Sequence, residues 1–307
     1  MNFAVKRMSW KDVKFSTGLT SSKNENSNQL FIDMLSSKGL GGLEKYPNIA
    51  QCYNQLIHYF QIEPDSIILG FGGDQLLKDL FVVLDYNSIQ IFNHSYELAT
   101  VYNQILNKSV LLNDYIFDGE FKVKTPIEFV GGDVLYLVNP HCPTGIELYV
   151  EEIEILATKF KYIIIDEAYK NPLNIDHRLL KIDNVIVVKS FSKIGGVPGL
   201  RFGYCLANKS IIEKLRTIKP LYEMNSISVK YLNYILHNPQ VLDDHLMEMG
   251  KTYDILKVIN GGFSVRVGNF ATFECFGKLS GKFYSIDGKT FVRTTLTDVD
   301  NYKRLLL

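Results

Sequence analysis

The chain has 307 residues, 33 Lys+Arg balanced by 33 Asp+Glu, and 46% hydrophobic residues. That apolar fraction excludes wholesale disorder, collagen and coiled coil, and the length predicts about two domains of roughly 150 residues each. Zero net charge argues against broad electrostatic attachment to nucleic acid or anionic lipid, and no apolar run approaches the ~20 residues that span a bilayer. The N-terminal MNFAVKRMSWKDVKF shows no apolar stretch ahead of a small-residue cleavage site, so no secretory signal is expected. Cys52, Cys142, Cys205 and Cys275 lie far apart and form no CxxC pair. This predicts reduced thiols in a cytoplasmic protein rather than disulfides or a metal site.

Residues 1–40 are the most polar part: SSKNENSNQ (21–29) reads as a loop or a helix start, and LGGLEKYPN (40–48) breaks the chain. Residues 51–61 have helical spacing. SIILGFGG (66–73) reads as a strand running into a glycine turn, and DQLLKDLFVVL (74–84) as a helix. Further strands are predicted at VLYLVNP (134–140), YIIIDEAY (162–169) and VIVVKSFS (185–192), with the helix EEIEILATKF (151–160) between two of them. Short unbroken apolar strands separated by helices predict a parallel sheet covered on both faces. Helical periodicity dominates 208–258. NFATFEC (269–275) and KTFVRTTL (289–296) then read as strands of a small α+β unit. The predicted fold class is therefore α/β, with a large domain over 41–225 built on a mostly parallel sheet and a smaller α+β domain over 226–307.

In open parallel sheets ligands sit beyond the carboxyl ends of the strands, so those ends are where chemistry is read. After SIIL, Gly72, Gly73 and Asp74 open a helix; glycines let backbone amides approach an anion, and the helix N-terminus adds partial positive charge. Gln75 stands where a dinucleotide fingerprint needs its third glycine, and GKLSGK (277–282) is not a Walker loop. After VLYLV comes the rigid turn Asn139-Pro140-His141-Cys142-Pro143-Thr144-Gly145. After YIII, Asp166 and Tyr169 face one crevice, and a carboxylate there wants a protonated partner. After VIVV, Ser190, Ser192 and Arg201 form an anion clamp, and Lys193 is placed as an amine nucleophile for a carbonyl. An amine, a carboxylate, a phenol and a two-part anion cradle are what pyridoxal phosphate requires.

The motifs run in a familiar order: Asn24-Glu25-Asn26, Tyr46-Pro47, Gly72-Gly73-Asp74, NPxxPTG, DEAY, SxSK with GLRxGY, Asn269-Phe270 and a late Arg293. Over residues 24–307 the chain resembles the pyridoxal-phosphate enzymes of the aspartate-aminotransferase fold (fold type I), and within them the histidinol-phosphate aminotransferase group. The resemblance implies a transaminase moving an amino group between an amino acid and a keto acid or small ketone. Lys193 would condense with the cofactor aldehyde and shuttle protons, Asp166 would pair with the ring nitrogen, and Tyr169 would donate to the ring oxygen. Gly72, Gly73, Asp74, Ser190, Ser192 and Arg201 would hold the phosphate, with Tyr96 stacking on the ring. Arg293 and Asn24 fall on the substrate side. Tyr46 would reach the neighbouring subunit's phosphate, implying a homodimer with shared active sites in which residues 1–40 add to the small domain and the dimer contact.

Two departures stand out. Cys142 replaces the asparagine that contacts the cofactor's ring oxygen in this group, and a thiol is a much weaker donor than an amide. Between Phe276 and Arg293 there is no second arginine, only Lys278, Lys282 and Lys289, which points to a smaller amino acid or a small phosphorylated amine or ketone. A phosphoamino-acid decarboxylase on the same scaffold is the nearest alternative function, and a catalytically retired binding protein a more distant one.

Overall fold

The central strands are apolar on both faces, and side chains alternate across a strand, so each needs a cover on either side. The computed structural model describes residues 31–36, 44–123, 131–274 and 281–296. After helix α1 (residues 31–36) come α2 (Ile49–Phe60), β1 (Ile67–Gly70), α3 (Gly72–Val83), β2 (Ser88–Phe92), α4 (Glu97–Ile105), β3 (Ser109–Asn113) and a small hairpin of β4 (Tyr115–Phe117) and β5 (Phe121–Val123). Then follow β6 (Gly132–Val138), α5 (Val150–Ala157), β7 (Phe160–Asp166), β8 (Val185–Ser190), β9 (Gly203–Ala207), α6 (Lys209–Arg216), α7 (Ser226–His237) and α8 (Gln240–Asn260). The chain continues through β10 (Ser264–Val267), β11 (Phe270–Glu274), β12 (Lys282–Ile286) and β13 (Lys289–Thr295).

Seven strands form one sheet in the order β1-β9-β8-β7-β6-β2-β3. All its pairings are parallel except those of β9, which runs against both β1 and β8. The reversed β9 is the exception in a sheet that is mostly parallel, as expected. It follows from a short connection: the Gly-rich loop 193–200 turns the chain straight back beside β8, where a parallel return would need a crossover helix. Alternation along the strands divides the core. Leu69, Leu135, Leu137, Ile163, Ile165 and Val187 pack on one face, and Ile68, Ile91, Val134, Ile164, Ile186 and Val188 on the other. The sequence reading missed β2 and β3 because Ser88, Gln90 and the largely exposed SVLLN edge break the apolar run. The last residues form a second, four-stranded antiparallel sheet, β10-β11-β13-β12.

Candidate active site

The carboxyl ends of β1, β6, β7 and β8 converge, so the residues just past each strand share one crevice. At the end of β7 Asp166 is buried. Its Oδ2 accepts from the Tyr136 hydroxyl (2.8 Å) and its Oδ1 from the Ala168 amide (3.0 Å). Burial raises its pKa against the pull of those two donors and of Lys193. Among the described residues no cation lies within ion-pair distance of it, so the carboxylate is left able to accept one further proton donor.

Beside it the glycine turn is tighter than the sequence suggested. Gly72 and Gly73 are not a loop but the first turn of α3, and no side chain caps that helix, so its leading amides are free donors. Gly72 has φ +81°, and a Cβ there would sit 2.9 Å from Arg201 Nη2, so only glycine allows the guanidinium this close. A Cβ added to Gly73 would lie 3.7 Å from Ser190 Cβ, and one added to Gly203 of the paired β9 would lie 2.9 Å from the Gly73 amide. Ser190 Oγ accepts from the Ser192 amide (3.1 Å), which folds the strand end into a ring around the same point. Amides, hydroxyl and guanidinium are thus drawn to one side of the glycine turn, an arrangement with the donors that an anion needs.

Lys193 lies between the rings of Phe270 (5.5 Å) and Tyr169 (6.0 Å). Burial, reinforced by the charge of Arg293, pulls its pKa down, which raises the fraction of neutral amine. Its loop is pinned from behind: His245 Nδ1 donates to the Ile194 carbonyl (2.7 Å) and the Tyr231 hydroxyl to the Gly195 carbonyl (2.9 Å). The turn between β10 and β11 closes the front. Gly268 (φ +56°) would clash through any Cβ with the Tyr169 carbonyl at 2.7 Å. Phe270, next to that turn, carries the Arg293 guanidinium on its face at 4.4 Å. Arg293 Nη1 lies 3.5 Å from Cys142 Sγ, and its buried Nε has no partner. Tyr169, hydrogen-bonded to Cys142, keeps its proton because burial raises its pKa well above the ordinary phenol value.

The structure thus brings together Gly72, Gly73, Asp74, Tyr96, Cys142, Asp166, Tyr169, Ser190, Ser192, Lys193, Arg201 and Arg293. The Tyr96 hydroxyl is committed to Asp74 Oδ1 (2.7 Å), which also accepts from Tyr102 (3.4 Å). Tyr46 is not in this group: it is 76% exposed and stacks on Tyr222 at 4.1 Å. Asn24 and Lys278 lie outside the described residues. Lys282 flanks Tyr284 at 5.5 Å, whereas Lys289 pairs with Glu274 (3.1 Å). Sequence reading missed Tyr136, although a lone phenol in an aliphatic strand signals a buried hydroxyl that needs an acceptor. It also missed His141, buried beneath the turn, whose Nδ1 meets Thr144 Oγ1 (2.8 Å) and Nε2 meets Ser95 Oγ (3.1 Å).

The donor set suits pyridoxal phosphate: a cradle without a capping side chain, a buried carboxylate without a cation, a depressed amine, and two arginines that no described carboxylate neutralises. The sequence matches the family model described as aminotransferase class I and II over residues 123–256. It is 29% identical over 201 residues to histidinol-phosphate aminotransferase of Brachyspira hyodysenteriae, covering 62% of this chain and 54% of that protein. It is also 29% identical over 230 residues to that of Christiangramia forsetii, covering 70% and 65%. The chain thus matches from just over half to about two thirds of the length of these curated relatives. The crystal structure of histidinol-phosphate aminotransferase from Sinorhizobium meliloti in complex with pyridoxal-5'-phosphate superposes with a TM-score of 0.75 at 18% identity, covering 91% of this chain and 84% of that one. L-threonine-O-3-phosphate decarboxylase from Porphyromonas gingivalis superposes with a TM-score of 0.72 at 16% identity, covering 94% and 98%. The chain is thus similar in sequence to the class I and II aminotransferases over residues 123–256 and shares the fold of the solved structures it superposes on.

Proposed function

We propose that the protein is a pyridoxal-phosphate-dependent aminotransferase acting on a small amino acid or phosphorylated amine and a keto acceptor. The observation that carries this is Lys193: a buried, depressed amine without a carboxylate partner among the described residues, in the same crevice as Asp166 and the Gly72–Gly73–Arg201 cradle. When bound, pyridoxal phosphate supplies an aldehyde for the amino group and a protonated ring that takes up the electron pair released at the substrate carbon. Asp166 is placed to hold the ring-nitrogen proton. The leading amides of α3, Ser190, Ser192 and Arg201 would hold the phosphate, and Tyr169 and Cys142 would serve the ring oxygen. Lys193 Nζ would hold the cofactor through its aldehyde and, as a neutral amine, would carry a proton at the substrate carbon. Arg293, backed by Phe270, grips the substrate carboxylate through the edge that Cys142 leaves open, and Asn24 is assigned to the substrate side. Tyr46, exposed and braced on Tyr222, is suited to reach the phosphate of a second subunit, so the working unit is a homodimer.

The test is the visible spectrum of the purified protein with pyridoxal phosphate, before and after a panel of amino acids and phosphorylated amines. The expected result is an absorbing adduct that borohydride fixes to Lys193, and that bleaches to pyridoxamine phosphate with a particular donor. Bleaching with release of carbon dioxide and no pyridoxamine phosphate would replace the transaminase with a decarboxylase. A folded protein that forms no adduct would overturn both.

A further inference from the structure

Far from Lys193 in sequence, three polar side chains share a buried node on the opposite side of the sheet from Asp166. Glu223 is 1% exposed, and its Oε1 accepts from the Tyr53 hydroxyl (2.8 Å) and from Lys219 Nζ (2.7 Å). The Tyr53 oxygen in turn accepts from the Leu69 amide (3.0 Å) and from Lys219 (3.3 Å), so its single proton is directed at Glu223. Burial raises the Tyr53 pKa and keeps that proton in place. Among the described residues Glu223 Oε2 has no hydrogen-bond partner. Burying a carboxylate with half its capacity unused is costly, and the general stability of α6 and α7 does not explain it, since apolar packing would serve those helices better.

The node's position supplies a reason. Leu69 is followed by Gly70 and the Gly72–Gly73 turn, so the Tyr53 bond fixes the strand end that carries one half of the cradle. Glu223 itself lies two residues before Asn225. The Asn225 Nδ2 (3.0 Å) and the Ser228 Oγ (2.7 Å) both donate to the Leu200 carbonyl, and Leu200 precedes Arg201, the other half. Arg201 is held in a left-handed conformation, φ +52°, next to Gly72. Among the described residues its guanidinium makes one hydrogen bond, a long one to the Pro198 carbonyl (3.4 Å), so its aim depends on its backbone.

We propose that Glu223, with Tyr53 and Lys219, is a positioning residue that sets the spacing between the glycine turn and Arg201, and so the affinity of the site for a phosphate group. This rests on the proposed role of the cradle as a phosphate site. The test is calorimetric titration of the full-length apoprotein with inorganic phosphate and with pyridoxal phosphate, in wild type, Tyr53→Phe and Glu223→Gln. Tyr53→Phe strands the Leu69 amide and should weaken both ligands about five- to tenfold, the cost of one buried unsatisfied donor. Glu223→Gln keeps an acceptor for Tyr53 and should cost about two- to threefold. With pyridoxal phosphate saturating, the KM for the amino donor should stay within twofold, because Arg293 is not part of the node. Asp65→Asn, which breaks an exposed cluster with Arg216 and Lys209, serves as the control and should leave both affinities unchanged. If Tyr53→Phe lowers only the melting temperature and leaves phosphate affinity within twofold of wild type, the node is merely structural and the proposal is overturned. If wild type binds neither ligand, the cradle itself fails, and this proposal with it.

Discussion

Asp166 and Glu167 are consecutive carboxylates in nearly the same depth of burial, and the chain treats them in opposite ways. Glu167, 4% exposed, pairs with Lys189 Nζ at 2.8 Å and Lys170 Nζ at 3.0 Å, and Lys170 reaches on to Glu147 at 2.8 Å. Burial pushes the Glu167 pKa up, but the two ammonium groups overcome it and hold the carboxyl below its ordinary range. Burial also pulls Lys189 down, yet two cations sharing one carboxylate leave the pair ionic. Asp166, on the other side of the strand end, has one phenol and one amide, and its pKa moves the other way. The difference separates architecture from function. Glu167, which braces the fold, is satisfied by two cations within the chain, whereas Asp166, proposed to meet a ligand, keeps an open valence.

Removing a member of each set should therefore have different consequences. Lys193→Ala is expected to cut single-turnover amino-group transfer by at least ~10²–10⁴-fold, the ordinary range for a positioned proton carrier, without loss of stability, because a depressed buried amine has left. Retained turnover in that variant would sink the assignment. Lys189→Ala should do the reverse. Taking one partner from a buried pair costs about 3–5 kcal/mol in urea unfolding, and adding Glu167→Gln should restore a good part of it. Arg178→Ala, which breaks an exposed pair with Glu151, should cost under ~1 kcal/mol in the same assay.

Acid should sharpen the contrast further. The segments that border the site are clamped by neutral histidines: burial lowers His141 to about 3 and His245 to about 4 from an ordinary 6.5. Between about pH 4 and 6.5 the unfolded chain binds these protons and the folded chain does not, so stability rises with pH across that window and levels off above it. Two such groups allow a slope of up to ~2.7 kcal/mol per pH unit, while the depressed Glu167 is lost only at lower pH. His245→Gln keeps a donor for the Ile194 carbonyl and should remove about one proton of the slope. An unchanged slope in urea titrations at pH 4.5, 5.5 and 6.5 would show that His245 does not bear it.

The sequence made the open-valence set legible because its members sit in contiguous runs at strand ends: Asp166 with Tyr169, Ser190 with Lys193, Gly72 with Gly73. Each run carries its chemistry locally. The supporting set was not legible, because its partners meet only after folding. Tyr53 and Glu223 are 170 residues apart, His245 finds Ile194 across 51, and Tyr136 finds Asp166 across 30. The edge strand β3 escaped for a different reason: a strand with no buried residue and only two half-buried ones has no alternation to read. The β9 reversal was hidden too, since an apolar run carries no sign of direction.

Cys142 lies between the two sets, and the smallest predicted effect is the most diagnostic. Its thiol is 4% exposed, bonded to Tyr169 and 3.5 Å from Arg293, so it lies between the phenol proposed to serve the ring oxygen and the arginine proposed to grip the substrate. An amide at that position could offer its oxygen to Arg293 and its N–H to the ring oxygen of bound pyridoxal phosphate, a charge-assisted bond that the thiol makes only weakly. A donor to an oxygen stabilises that oxygen's anionic form, so the proton shared by the ring oxygen and the Lys193 linkage leaves at lower pH. Cys142→Asn should thus shift the pH midpoint of the visible absorbance down by about one unit, roughly the 1.4 kcal/mol of one such bond. The unfolding free energy should change little, since no charge loses a partner. A midpoint that stays put would mean that Tyr169 alone governs the ring oxygen, and that Cys142 belongs with the architecture.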